Sequence, residues 1–323
     1  MSINKTNSVK AFAPASVANV SCGFDVLAFA IENPGDIVEV ARSTGQGVSI
    51  DKIEGDDGLL PTEPFKNTAG RAVLAMLDDP KAGVSSDDGF SIRIKKMMPL
   101  GSGMGSSAAS SVAAVVALNE LLGGPFTKNE LLPFALEGEL AASGSPHADN
   151  VSASLLGGFT LVRSQNPLDV VKLHVPKGLI TAVFHPHLSI STKNTRLILR
   201  KSVQMAQAVK QWGNVGGLIA GLYTEDFDLI SRSMEDYIVE PARSILIPGF
   251  DEMKELALTA GALGFSISGA GPSVFALCRS EDVAKKIQKD IDKVMDTYNL
   301  NVDTYISPIN SRGSYLIDNE QDA

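Results

Sequence analysis

The segment PLGSGMGSSAA, Pro99 to Ala109, constrains this chain more than any other. It lies between an alternating apolar stretch ending near Lys96 and a run of small residues at helical spacing, Ala109, Val112, Ala113 and Val116. Gly101, Gly103 and Gly105 let a backbone turn with positive φ and bring its amides against a ligand without interference from a Cβ. Ser106 and Ser107 then fall where a helix begins, and unpaired N–H groups together with the helix dipole favour phosphate there. A flexible Gly/Ser connector is the competing reading, and the strand before and helix after favour the phosphate loop. The segment lacks the Gly-Lys-Ser/Thr ending of a Walker A loop and the spaced acidic residue of a dinucleotide site.

The rest of the chain sets the frame for that loop. A length of 323 residues exceeds one ordinary core and predicts two domains. The expected division is residues 1–170, carrying the loop, and residues 171–323. Strands are expected on both sides of the Ser21-Cys22-Gly23 turn, at Asp36 to Ala41, Phe90 to Lys96, Phe159 to Arg163 and Ile180 to Phe184, and as a pair around SISGAGPSVFALC. Helices are expected at Thr68 to Leu77, from Ser106 to the Gly123-Gly124-Pro125 stop, over most of Thr195 to Ile230, and at Gly249 to Ala260. A further helix shows Val283, Ile287, Ile291 and Val294 on one face. Thr127 and Glu130 form a capping box, while Pro133 predicts a kink or a later start of the helix that follows. Helices beside antiparallel strands make the chain α+β.

A net charge of -9 argues against a general nucleic-acid binder, so an anionic ligand must be held locally. Cys22 and Cys278 have no motif spacing and read as reduced thiols. The polar N-terminus lacks a secretory stretch, and no run reaches the roughly 20 apolar residues of a membrane span. A cytoplasmic location is therefore expected, with no nucleic-acid or membrane partner. Trp212 and the Met97-Met98 pair read as packing residues, and His174, His185 and His187 fit no metal pattern.

The Pro99 to Ala109 loop resembles the ATP loop of the GHMP superfamily of small-molecule kinases, and SISGAGPSVFAL, Ser266 to Leu277, resembles that superfamily's C-terminal glycine motif. PASVANVSCGFDVLAFA, Pro14 to Ala30, and His147 followed by ADNVSASLLGG are similar to the homoserine kinase branch. The resemblance runs from about residue 9 to 313. It implies a two-domain fold, with an N-terminal ribosomal-protein-S5-like domain and a C-terminal ferredoxin-like α/β domain. It also implies ATP and Mg2+ as cofactors and L-homoserine as substrate.

Carried over by position, the resemblance implies that Pro99, Leu100, Gly101, Ser102, Gly103, Met104, Gly105, Ser106, Ser107, Ala108 and Ala109 hold the nucleotide. Asn67 would lie near the adenine, and Lys95 or Lys96 would reach the nucleotide. Ser107 and Glu139 would serve magnesium, which needs hard oxygen ligands. Glu137 is expected to be a solvated carboxylate elsewhere on that helix. Asn19, Asp25, His147, Thr192 and Gly269 would line the substrate pocket, with Asp25 suited to an ammonium, and Arg196 and Arg243 would clamp a carboxylate. Asn150 occupies the position where mevalonate and galactose kinases carry an aspartate, so it is expected to orient the acceptor, with Asp149 facing away. A loose phosphoryl-transfer transition state needs no strong base. The alternatives are another superfamily kinase of the mevalonate type and a non-catalytic ligand-binding member. A homodimer is implied by analogy with family members.

Overall fold

The computed structural model describes residues 7–143, 147–190 and 192–317. Its first sheet begins with β1 (Ser8–Ala18), β2 (Leu27–Ser43) and β3 (Gly47–Glu54). Helix α1 (Thr68–Leu77), strand β4 (Gly89–Lys95) and helices α2 (Ser106–Leu121), α3 (Leu132–Ser143) and α4 (Ala148–Leu156) follow, and β5 (Phe159–Gln165) and β6 (Leu168–Lys172) close this part. The second part runs through β7 (Ile180–Pro186), α5 (Thr192–Leu197), α6 (Met205–Thr224), α7 (Phe227–Ser233), α8 (Glu240–Arg243) and α9 (Phe250–Ala260). It ends with β8 (Gly264–Ile267), β9 (Val274–Cys278), α10 (Glu281–Thr297), β10 (Val302–Pro308) and β11 (Tyr315–Ile317).

The first sheet has the order β11-β1-β2-β4-β3, with β5 pairing β2 and β6. The two strands expected at Leu27 and at Asp36 are one long strand. β1 pairs both of its halves, from Ser8 with Ala41 to Ala18 with Ala28, and the register shifts opposite the Asn33-Pro34-Gly35 break. β3, which has no counterpart among the expected strands, is a mostly exposed strand parallel to β4, and α1 lies in the crossover such a pairing requires.

Helix α2 packs on β1 and β2 with α1, α3 and α4 around it. It is covered on all sides, which explains its Ala, Ser and Val composition. Thr127 forms its capping box with Glu130 on a short 3-10 turn, and the α-helix starts only at Leu132, so Pro133 sits in a first turn that needs no N–H from it. The second sheet, β10-β7-β9-β8, carries α9 and α10, and α10 buries Ile287, Ile291, Val294 and Met295. Trp212, expected to pack, is 63% exposed on α6.

The two sheets share an interior. Phe29 of β2 lies 5.0 Å from Phe159 of β5 and 5.6 Å, edge on, from Phe275 of β9, and all three rings are buried. We propose that the two domains divide in the connection between β6 and β7, with β11 returning to pair β1. Phe29→Ala should lower the unfolding free energy by about 3–5 kcal/mol through the cavity left at this junction, measured by urea denaturation.

Candidate active site

The site is built where two glycine loops meet backbone to backbone. Gly103 has a φ of +81°, and a Cβ there would come within 2.7 Å of the Ser268 carbonyl oxygen and 2.8 Å of that of Gly271. Ser268 Oγ donates to the Gly103 carbonyl at 2.8 Å, and the Ser273 amide donates to that of Ser102 at 3.2 Å. Gly105 ends the first loop in the left-handed region (φ +69°) directly before α2, and a Cβ there would lie 2.2 Å from Ser16 Oγ and 2.7 Å from Asn150 Oδ1. The start of α2 therefore faces open space. Ser102 and Ser106 border that space, and their buried hydroxyls have no partner among the described residues.

Beneath the loop a buried ion pair holds α2 in place. Lys96 contacts Asp36 and donates to the Ser106 carbonyl and to Ser110 Oγ, both at 2.8 Å, while Ser110 Oγ donates to Asp36 at 2.7 Å. Breaking such a pair from one side strands a buried charge, so it behaves as a fixed support.

The opposite wall is the turn between β1 and β2. Asn19, Val20 and Ser21 are all left-handed (φ 73°, 42° and 62°), as is Asp25 (φ 59°), a conformation that costs roughly 1–2 kcal/mol per non-glycine residue. Asn19 secures the turn by donating to the Gly269 carbonyl at 2.7 Å and accepting from the Asp25 amide at 3.1 Å. Asp25 receives two parallel hydrogen bonds of 2.9 Å from Arg196. Arg243, 3% exposed, donates from one terminal nitrogen to the Gly269 carbonyl at 3.1 Å, and its Nε has no partner among the described residues. Burial and the nearby Arg196 both pull its pKa below the ordinary arginine value. The Asp236 carboxylate caps α8 by accepting from the amides of Ile238, Val239 and Glu240, and Gln211 donates to both Asp236 and the Cys22 carbonyl. That chain of bonds ties Arg243 to the β1–β2 turn.

The third wall carries carboxylates. Glu139 of α3 is buried, with Oε2 3.1 Å from His147 Nδ1. Burial opposes charge on the imidazole, but the Glu139 hydrogen bond and charge, with Asp149 beyond, outweigh it and raise its pKa. Asp149 is buried on the first turn of α4, and desolvation together with the Asp25 charge pushes its pKa up to about 6. Asn150 accepts from Ser16 Oγ at 2.9 Å. The walls enclose a cavity of about 260 Å³.

Two family models match the chain, the N-terminal domain of GHMP kinases over residues 67–158 and their C-terminal domain over residues 218–297. A homoserine kinase from Chloroherpeton thalassium is 48% identical over 319 residues, covering 96% of this chain and 99% of the relative, and one from Chlorobaculum tepidum is 49% identical over 317 residues. The crystal structure of homoserine kinase from Cytophaga hutchinsonii superposes with a TM-score of 0.94 at 54% identity, covering 98% of this chain and 99% of that one. The chain belongs to the homoserine kinase family of GHMP kinases. The α+β, two-domain GHMP fold follows. A mevalonate kinase from L. major, 18% identical with a TM-score of 0.72, shares that fold.

Of the residues singled out from the sequence, Leu100, Gly101, Ser102, Gly103, Gly105, Ser106 and Ser107 line the cavity, facing Asn19, Asp25, Glu139, His147, Asn150, Arg196, Arg243 and Gly269. Glu137 instead pairs with Arg71 at the surface. Met104, Ala108 and Ala109 are fully buried in the core and Pro99 lies outside the lining, so they shape the loop without facing its contents. Asn67 caps α1, accepting from the Ala69 and Gly70 amides. Strand alternation turns Lys95 outward and Lys96 inward, so Lys96 is the lysine at the site. The Thr192 side chain lies outside the described residues. Asp149 does not face away: on a helix's first turn its carboxylate folds back to accept from the Asn150 amide at 2.9 Å, which leaves both residues in the wall. Its neighbourhood with Asp25, far away in sequence, left no local signal.

Ser107 and Glu139 are hard oxygen donors on one cavity, and the unpartnered Ser106 hydroxyl beside them marks room for a polar occupant. This set fits a magnesium ion that keeps most of its waters.

Gly105→Ala should raise the ATP requirement about tenfold, because the unliganded loop would relax away from the left-handed alanine and the clash of its Cβ with Ser16 and Asn150, and regaining the binding shape would cost roughly 1–2 kcal/mol; steady-state kinetics with ATP as the varied substrate would test this. Asp149 is protonated in the folded state up to about pH 6 and in the unfolded chain only up to 3.8, so stability falls as pH rises between these values and a constant cost remains above. Asp149→Asn should therefore be more stable than the parent by up to roughly 3 kcal/mol at pH 8, with the gain shrinking toward zero near pH 4, as read by urea titrations at both pH values.

Proposed function

We propose that this chain transfers the γ-phosphoryl group of ATP to the side-chain hydroxyl of L-homoserine, giving ADP and O-phospho-L-homoserine, a step toward threonine. The observation that carries the reading is one cavity with a phosphate-type glycine loop on one wall and groups for both charges of an amino acid on another. Asp25 suits the ammonium, and Arg196 with Arg243 suits the carboxylate. The full-length relatives named homoserine kinase support the same substrate.

The amides of the loop and of the first turn of α2 would bind the phosphates, and Lys96 keeps that turn in place through the Ser106 carbonyl. Magnesium, when bound at Ser107 and Glu139, would neutralise phosphate charge. The acceptor hydroxyl attacks the γ-phosphorus, the bond to the bridging oxygen breaks, and the hydroxyl proton leaves to water. Positioning and charge neutralisation supply the rate. Asn150, already tied to Ser16, orients the hydroxyl and takes no proton.

Among the described residues no helix is long and apolar enough to cross a membrane, and Cys22 and Cys278 are free and buried. Burial pushes both thiols up to about 12, which suits unreactive cysteines in the reducing cytoplasm we assign to the protein.

The test is ADP release by the purified protein with ATP and magnesium, offered L-homoserine, mevalonate, galactose or no acceptor in parallel. Homoserine-dependent release is expected. Release with mevalonate in its place would overturn the substrate while keeping the fold, and silence with every acceptor from protein that still binds ATP would favour a non-catalytic role.

A further inference from the structure

Phe24 sits in the turn between β1 and β2, half-buried, and lines the cavity. It belongs to none of the apolar core clusters. Its ring instead faces cations: the Arg196 guanidinium carbon lies 5.4 Å from the ring centroid and that of Arg243 lies 5.1 Å from it. Two like charges are thus held over one ring. We propose that Phe24 is a positioning residue that holds Arg196 and Arg243 as a paired receptor for the carboxylate of the amino acid substrate. This rests on the homoserine reading and names how that site keeps its geometry.

The physical need is clear from the partners of each arginine. Among the described residues Arg243 is anchored through a single hydrogen bond, to the Gly269 carbonyl, and its Nε has no partner. Arg196 is held by Asp25, but its side chain is 42% exposed, and exposed ion pairs fix a side chain weakly. If the substrate ammonium takes Asp25, Arg196 loses that hold at the moment it is needed. The electron-rich face of an aromatic ring attracts guanidinium whichever anion it is paired with, and it has no polar atom to compete for a carboxylate. Arg196 can therefore exchange the Asp25 carboxylate for that of the substrate while its contact with Phe24 persists.

The experiment compares the parent protein with Phe24→Leu and Phe24→Tyr, using L-homoserine and its amino alcohol analogue in which the carboxylate is reduced to a hydroxymethyl group. Phe24→Leu should raise the KM for homoserine about tenfold, with the KM for ATP, kcat and Tm little changed. Phe24→Tyr, which keeps the ring, should restore the parent value. The penalty should vanish with the analogue, which has no carboxylate for the paired arginines to bind. An unchanged homoserine KM in Phe24→Leu, an equal penalty on the analogue, or a tyrosine variant as impaired as the leucine one would overturn the proposal. So would a rise in both KM values with a fall in Tm, which marks a packing residue. Failure of the unsubstituted protein to turn over homoserine would instead sink the homoserine reading, and the role of Phe24 with it.

Discussion

The close approach of two backbones at Gly103 and Ser268 to Gly271 is the constraint on which the rest depends. No side chain fits between them, because a Cβ on Gly103 would overlap two carbonyl oxygens. The contact joins the loop after β4 to the loop between β8 and β9, and so fixes the first sheet against the second. From it follow the exposed start of α2 on one side and, through the Gly269 carbonyl, the anchoring of Asn19 and Arg243 on the other. One carbonyl thus sets the distance between the first glycine loop and the groups proposed to meet the amino acid.

The electrostatics of the site are arranged to be exchanged. In a chain with a net charge of -9, Lys96 and Arg196 at the cavity each have a carboxylate companion, while Arg243 is held by a carbonyl. Lys96 has Asp36 in the interior and is structural, because leaving that pair would strand two buried charges. Arg196 has Asp25 at the cavity, where either partner can be replaced by a ligand charge of the same sign. In the reading proposed above a zwitterion would do both at once, which would link substrate recognition to the opening of this ion pair. Asp149, crowded by Asp25 and desolvated, carries the opposite lesson: its charge is held at this wall at a cost.

Much of this was legible in the chain itself. The period of Val283, Ile287, Ile291 and Val294 marks the buried face of α10, the Thr127 box marks the turn that leads into α3, and Pro133 marks that helix's first turn. Errors arose where local signals were overruled. The strand after the Ser21-Cys22-Gly23 turn and the one expected at Asp36 to Ala41 are a single β2, because β1 pairs both halves of it. In β3 the alternation of Val48 and Ile50 is broken by the register shift between Ile50 and Lys52 before Ile53 continues it, so the apolar period is too short to mark a strand. Trp212, an aromatic on a helix, was expected to pack and lies in solvent.

The sequence by itself determined the glycine loop, the family and most of the residues around the cavity, because glycine spacing, helix starts and motif order are written in contiguous residues. Tertiary structure alone decided which lysine faces inward, that Asp25 and Arg196 are partners across 171 positions, that Asp149 joins the wall, and that Phe24 carries two guanidiniums. These are distances between segments far apart in the chain. No local pattern encodes them, since each is set by how the two sheets are locked together where their glycine loops touch.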